Sequence, residues 1–288
     1  MKRTSVAIVG PGRLGTVLAK QLASAGCQIT EIISRSRRHS LATAAKQARK
    51  LGARARTSSD ALLDATVIWF CVPDSEISKA AAELSRRDWT GKIAIHSSGV
   101  LTSDALGLLR KKGAMVASVH PLMTFVGGSV PNLADVPFAI EGDLRAVDAA
   151  KKIVRNLGGN TFPIRKQEKA AYHAFATMIC PLLVSLLAIS ETVAQVARIS
   201  HKEARRRMMP IIHQTLANYS KLGQAGAFSG PIVRGDAESV RKHLKALAKN
   251  RAATSVYVAL AEAALKYLPS RNRKAIRKAL SETALSRS

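Results

Sequence analysis

The sequence predicts an α/β domain built on a mostly parallel, doubly wound sheet, followed by an all-helical domain. Three observations predict it. Short β-branched runs alternate with helical periodicity through the first half, a glycine-rich turn follows the first run, and strand signals cease after about residue 165.

The strand-like runs are residues 5–9, 28–33, 66–71, 92–95, 114–119, 137–141 and 160–164. Helix-like stretches at 13–25, 39–51, 75–87 and 103–111 separate the first five, the arrangement expected of βαβ units. Asp143 is placed to cap a further helix, which Leu157-Gly158-Gly159 ends by supplying a residue tolerant of positive φ. Beyond 165 the pattern is helical. Residues 169–197 read as one long apolar helix with a kink at Pro181, and Ser200-His201-Lys202-Glu203 reads as a capping box. A helix to about Leu222, a Gly/Pro-containing loop over 223–235, a helix capped by Asp236 and two more helices complete the chain. The expected domains are residues 1–164 and 165–288.

Composition bounds the function classes. Hydrophobic residues make up 47% and charged residues 22%, as in a globular chain able to bury a core. Cys27, Cys71 and Cys180 lie far apart without metal-ligand or disulfide-frame spacing, so they are expected as small apolar residues in a reducing compartment. The apolar run after Met1-Lys2-Arg3 is too short for a signal peptide. Residues 174–190 carry no charge but include Thr177, Pro181, Ser185 and Ser190, so a buried or interface helix is expected there and not a membrane span. The expected location is cytoplasmic. The net charge is +26, with 23 basic against 12 acidic residues in 1–160 and 22 against 7 in 161–288. Such an even spread reads as a generally basic surface. Only weak, salt-sensitive nucleic-acid binding without sequence preference is expected from it.

Gly10-Pro11-Gly12-Arg13-Leu14-Gly15 matches the G-x-G-x-x-G dinucleotide fingerprint where it carries meaning, between a strand and a helix, and so predicts a Rossmann domain. Gly10 allows the tight turn, Gly12 the approach of a pyrophosphate, and Gly15 close helix packing. An NAD-binding chain places an acid at the end of the second strand, for the ribose 2′-hydroxyl. Here that strand runs into Ser34-Arg35-Ser36-Arg37-Arg38, and Glu31 lies too early. Hydroxyls and a guanidinium suit a 2′-phosphate, so the expected cofactor is NADP, held through Ser34, Arg35 and Ser36. Val72 and Pro73 are expected beneath it. Asp74 follows them, and Pro73 and Asp74 read equally as a plain strand-to-helix turn.

Two polar clusters end adjacent strands where ligands of such sheets bind, His96-Ser97-Ser98-Gly99 and His120-Pro121-Leu122. With Phe125, Tyr172-His173 and Gly230-Pro231-Ile232-Val233-Arg234-Gly235-Asp236, they resemble an uncharacterised family of Rossmann-like NADP oxidoreductases with a helical C-terminal domain of unknown function. That family is similar to pyrroline-5-carboxylate reductase and to deazaflavin-dependent NADP oxidoreductases. The resemblance implies a helical domain like that of 6-phosphogluconate dehydrogenase and a homodimer. In related hydroxyacid dehydrogenases the first long helix of the second domain brings a lysine to the nicotinamide. Lys169 and His173, four residues apart on one helical face, take that place here. Cys180-Pro181 stands where the resemblance leads one to expect Ser-Asn.

The candidate catalytic residues are therefore Lys169, His173, His120, His96, Ser97 and Ser98, with Arg234 as a contact for an anionic substrate. The leading expectation is an NADP-dependent oxidoreductase acting on a small, anionic C=O or C=N substrate. The alternative is a non-catalytic NADP(H)-binding dimer that acts as a sensor.

Overall fold

The structure is a computed structural model that describes residues 3–35 and 38–285. The chain divides into two compact units, residues 1–178 and 179–288. The division falls later than residue 164 because the first helix after the sheet, α6 (Lys169–Ile179), packs its Lys169 end among the strand ends of the first unit.

The first unit holds strands β1 (Ser5–Val9), β2 (Gln28–Ser34), β3 (Arg54–Thr57), β4 (Val67–Phe70), β5 (Ile93–His96), β6 (Met115–Pro121), β7 (Pro137–Gly142) and β8 (Asn160–Pro163). They form one sheet in the order β3-β2-β1-β4-β5-β6-β7-β8, parallel throughout except between β6 and β7. Alternation along β1 shows why it is central. Val6 and Ile8 enter the core on one face while Ala7 and Val9 enter the core on the other, and all four are buried. Helices α1 (Arg13–Ser24), α2 (Arg38–Leu51), α3 (Asp74–Leu84), a short α4 (Gly107–Arg110) and α5 (Leu144–Asn156) connect the strands.

Several elements differ from the sequence reading. Strand β3 has the sequence Arg-Ala-Arg-Thr with no apolar run, and it pairs only at the sheet edge with β2. Asp143 does not cap α5 through its side chain; its carboxylate accepts from the Val116 amide at 2.8 Å and from Arg110 Nε at 3.2 Å. Glu31, expected as too early to serve a ribose, is fully buried and accepts from the amides of Leu62 and Leu63. It holds a loop in which Leu63 sits at φ 55°. The turn after α5 is as expected, with Gly158 at φ 76°.

The second unit holds α7 (Pro181–Val196), α8 (His201–Ala227), α9 (Pro231–Arg234), α10 (Ala237–Leu247), α11 (Arg251–Tyr267) and α12 (Arg273–Leu285). The expected single helix over 169–197 is broken at Cys180 (φ −122°, ψ −82°), because Pro181 can open a helix but not continue one. Gly223 (φ 69°) kinks α8, and the expected loop over 223–235 contains further helical turns on both sides of residues 228–230. Ser200 and Asp236 cap α8 and α10 by accepting from Glu203 and Ser239 amides. Glu203, the expected return partner of the capping box, pairs its side chain with Arg206 and Arg207. Val240, Leu244, Leu265 and Ile276 form this unit's core.

The helical stretch 166–196 is long and apolar enough to cross a membrane by length and composition alone, with mean hydropathy 1.9. Its most apolar 18-residue window is not buried within the chain, against the buried alternative expected of it.

Candidate functional site

The turn from β1 into α1 builds one wall of a cleft of about 730 Å³. Gly10 adopts φ 103°, and its amide donates to Ile33 O at 2.8 Å, tying the ends of β1 and β2 together. A Cβ there would stand 2.8 Å from Cys71 O, and one at Gly15 would strike Gly10 O. At Gly12 the nearest atom is 4.0 Å away, so the space a side chain would fill stays open above the backbone. The N-terminus of α1 has no side-chain cap, which leaves its first amides for an anion. Thr16 Oγ1 donates to Gly12 O at 2.7 Å and steadies the turn. Pro11, Gly12, Arg13, Val72 and Pro73 all line the cleft, while Leu14 packs against the sheet core.

At the cleft's far end lie Ser34 and Arg35. The Arg35 side chain is 52% exposed and pairs with Glu76 of α3 at 3.8 Å. Ser34 is buried, and its hydroxyl donates to Arg35 O at 3.2 Å instead of pointing freely into the cleft. Ser36, expected beside them, lies outside the described residues. Sequence reasoning missed His39, Ser40 and Thr43 on α2 and Ser58 after β3, all of which line the same end. The signal for the α2 group was its position directly behind the Arg35 turn.

The ends of β5 and β6 meet α6 in a second cluster. His96 is fully buried, with Nε2 on Thr102 O at 2.9 Å and Nδ1 accepting from the Ser98 amide at 3.1 Å. Both ring nitrogens are thus used to shape the 96–102 loop, and burial pushes its pKa down to about 4. Ser97 Oγ accepts from Trp69 Nε1, and Ser98 Oγ from the Leu101 amide. Lys169 is also fully buried, and burial pushes its ammonium below its ordinary value. Its Nζ donates to Ser118 Oγ at 2.7 Å and to Ser98 O at 3.2 Å. Both side chains are buried, and their polar atoms are engaged by protein groups of the 96–102 loop and of β6.

His120 and His173 remain half-buried, 6.1 Å apart between ring centroids and nearly perpendicular. His120 Nδ1 shares a 2.8 Å hydrogen bond with the Tyr172 hydroxyl. Burial first, then the charge of Lys169, pushes His120 down to about 4, and burial raises Tyr172 to about 12. Both are therefore neutral near pH 7, a pair able to hold and pass one proton. Gly99 makes room for them, since a Cβ there would overlap the His173 ring and come within 2.9 Å of His120 Nε2. Tyr172 was singled out in the sequence only as a family mark; its spacing of three from Lys169 is the signal that placed it on this face. Arg234 lies in the second unit, exposed, at the end of α9.

Residues 5–98 match the family model described as NADP oxidoreductase, coenzyme F420-dependent, and residues 136–264 match a domain of unknown function, DUF2520. Among solved structures, a Bacteroides fragilis protein assigned as an NADP oxidoreductase is 21% identical with a TM-score of 0.74, over 91% of this chain and 97% of that one. A reductive aminase from Aspergillus terreus, solved with NADPH and ethyl-5-oxohexanoate, is 14% identical with a TM-score of 0.66, over 96% and 99%. A pyrroline-5-carboxylate reductase from Coxiella burnetii is 13% identical with a TM-score of 0.60, over 99% and 98%. At these identities the likeness concerns the fold. No match was found among curated proteins.

Proposed function

Because the chain joins an NADP oxidoreductase domain to a DUF2520 domain, we propose that it transfers a hydride between NADP(H) and a small, anionic substrate bearing a C=O or C=N bond. The observation that carries this reading is the pair of neutral proton-holding groups, His120 and Tyr172, at the carboxyl edge of the sheet that also forms the glycine turn. The open space over Gly12 and the uncapped α1 terminus fit a pyrophosphate, and Arg35 with His39 and Ser40 fits a 2′-phosphate. When bound, NADP(H) supplies or accepts the hydride.

The protein's own part is proton management. Reduction of a C=O or C=N bond places negative charge on the acceptor atom, and a donor there neutralises it. His173 and the His120–Tyr172 pair are the groups for this step. Lys169 fixes the Ser98 carbonyl and Ser118, and its charge helps keep His120 neutral. The likeness to a reductive aminase and to a pyrroline-5-carboxylate reductase supports a C=N acceptor.

NADP(H) is expected to bind more tightly than NAD(H). Arg35→Asp is expected to cost NADP about tenfold or more in affinity, since it replaces a charge-assisted bond to phosphate with a repulsion. Titration of both cofactors into wild type and variant checks this. Equal wild-type affinities would remove the 2′-phosphate assignment.

The second unit supports a homodimer. On α8, Ile211, Tyr219 and Leu222 share one face and are 68%, 59% and 54% exposed; on α7, Leu182 and Val184 are 52% and 61% exposed. Exposed apolar side chains of this kind are what an obligate interface covers. Leu183 and Leu187 are only half-buried and make weaker probes. Ile211→Glu with Tyr219→Glu is expected to convert a dimer to a monomer in light scattering. A wild-type monomer at micromolar concentration would sink the proposal.

A further inference from the structure

Resting on the NADP reading, we propose that residues 126–130 are a cofactor-binding element, gripping the adenosine–pyrophosphate half from the side opposite the glycine turn. The segment lies between β6, which ends at Pro121, and β7, which begins at Pro137. A connection of that length between antiparallel neighbours exceeds what a hairpin needs, and long ordered loops are commonly functional.

The loop is held in place by the helix that starts at the glycine turn. Gln21 of α1 donates through Nε2 to Pro131 O and accepts the Leu133 amide at 3.2 Å, while Leu133 is fully buried. One helix thus carries the pyrophosphate turn at its start and anchors the opposite wall two turns later. The tip is a tight turn in which the Ser129 amide donates to Val126 O at 3.3 Å. Gly128 takes the third position at φ 82°, where a type II turn requires glycine. Residues 126–130 line the same cleft of about 730 Å³ as Gly10, Gly12 and Arg35.

The chemistry of the tip suits this ligand. No residue from 122 to 134 is charged, in a chain with 22% charged residues, so a pyrophosphate meets no carboxylate there. Val126 and Val130 flank the turn at 51% and 57% exposure. An adenine face would take these side chains out of water, and the small Gly127-Gly128-Ser129 tip lets backbone amides approach phosphate oxygens.

The test uses the full-length chain with two probes, NADP and adenosine 2′,5′-bisphosphate, which lacks the nicotinamide half. Val126→Asp with Val130→Asp is expected to weaken both ligands about tenfold, because the carboxylates would face the phosphates. The free chain's melting temperature should hold, since both positions are exposed. If it falls, Val126→Ser with Val130→Ser is used, with a smaller loss of both ligands expected. Adenosine 2′,5′-bisphosphate should also slow amide hydrogen exchange over residues 126–130 in the wild type. Undiminished binding by the variants, or unprotected loop amides, overturns the proposal and leaves NADP binding standing. Loss of NADP affinity alone would move the contact to the nicotinamide half and overturn the assignment made here. A wild type that binds neither probe removes the NADP reading and this one with it.

Discussion

Lowering the pH from 6.5 to 4 is expected to cost the protein several kcal/mol of stability, most of it traceable to His96 and His120. Burial is the first cause of the shift in both, and it carries each from the ordinary 6.5 to about 4. A histidine held neutral in the fold but free to protonate when unfolded stabilises the native state above its unfolded pKa. That contribution is lost as pH falls from 6.5 through the folded value near 4. At 1.36 kcal/mol per pH unit each histidine accounts for roughly 3 kcal/mol across that window. His96 isolates the effect, because its Nδ1 accepts and its Nε2 donates within a single loop. His96→Gln can keep one acceptor and one donor but does not titrate. Its unfolding free energy, measured in urea at pH 7, 5.5 and 4, should fall about half as far as that of the wild type. Superimposable pH profiles for the two proteins would refute the assignment.

The central βαβ layout was legible because burial on both sheet faces imposes continuous β-branched runs, as in Val6-Ala7-Ile8-Val9 and Val67-Ile68-Trp69-Phe70. Strand β3 was not, since an edge strand has one solvated side and its two arginines erase the apolar signal. The glycine turn could be read because Gly10 and Gly15 answer steric demands and Gly12 keeps its space open, which leaves a spacing in the chain. Lys169 could be placed on the correct helix face but not at its correct depth. Spacing gives direction around a helix, whereas burial depends on Ser98 and Ser118, which are 71 and 51 residues distant. The same holds for Asp143, whose capping position was plain but whose carboxylate finds Val116 and Arg110 instead. Polar side chains choose partners by tertiary proximity, and pattern along the chain does not carry that information.

His120→Ala and His173→Ala are each expected to slow turnover by about 10²–10⁴-fold, the usual effect of removing a positioned proton donor. Neither residue lines the nucleotide cleft, so NADP affinity should change little. Tyr172→Phe keeps the ring that packs edge-on against His120 and Phe162 but deletes the hydroxyl at His120 Nδ1. It should lower the turnover number and alter the pH profile without loss of stability. Lys169→Ala should behave differently, slowing turnover and also lowering the melting temperature. It removes the buried donor of the Ser118 hydroxyl, at about 1–3 kcal/mol, and leaves the Ser98 carbonyl with only the 3.3 Å bond from Ser118 Oγ. This contrast would distinguish the groups proposed for proton transfer from a lysine that only holds the strand ends together. The substrate is to be found by screening imines and 2-oxo and 3-hydroxy acids for NADPH oxidation or NADP reduction. Normal turnover by His120→Ala and His173→Ala would exclude the pair from proton transfer. Broad screens without turnover, in a chain that still binds NADP, would replace catalysis with the sensing of NADP(H) as the function of this fold.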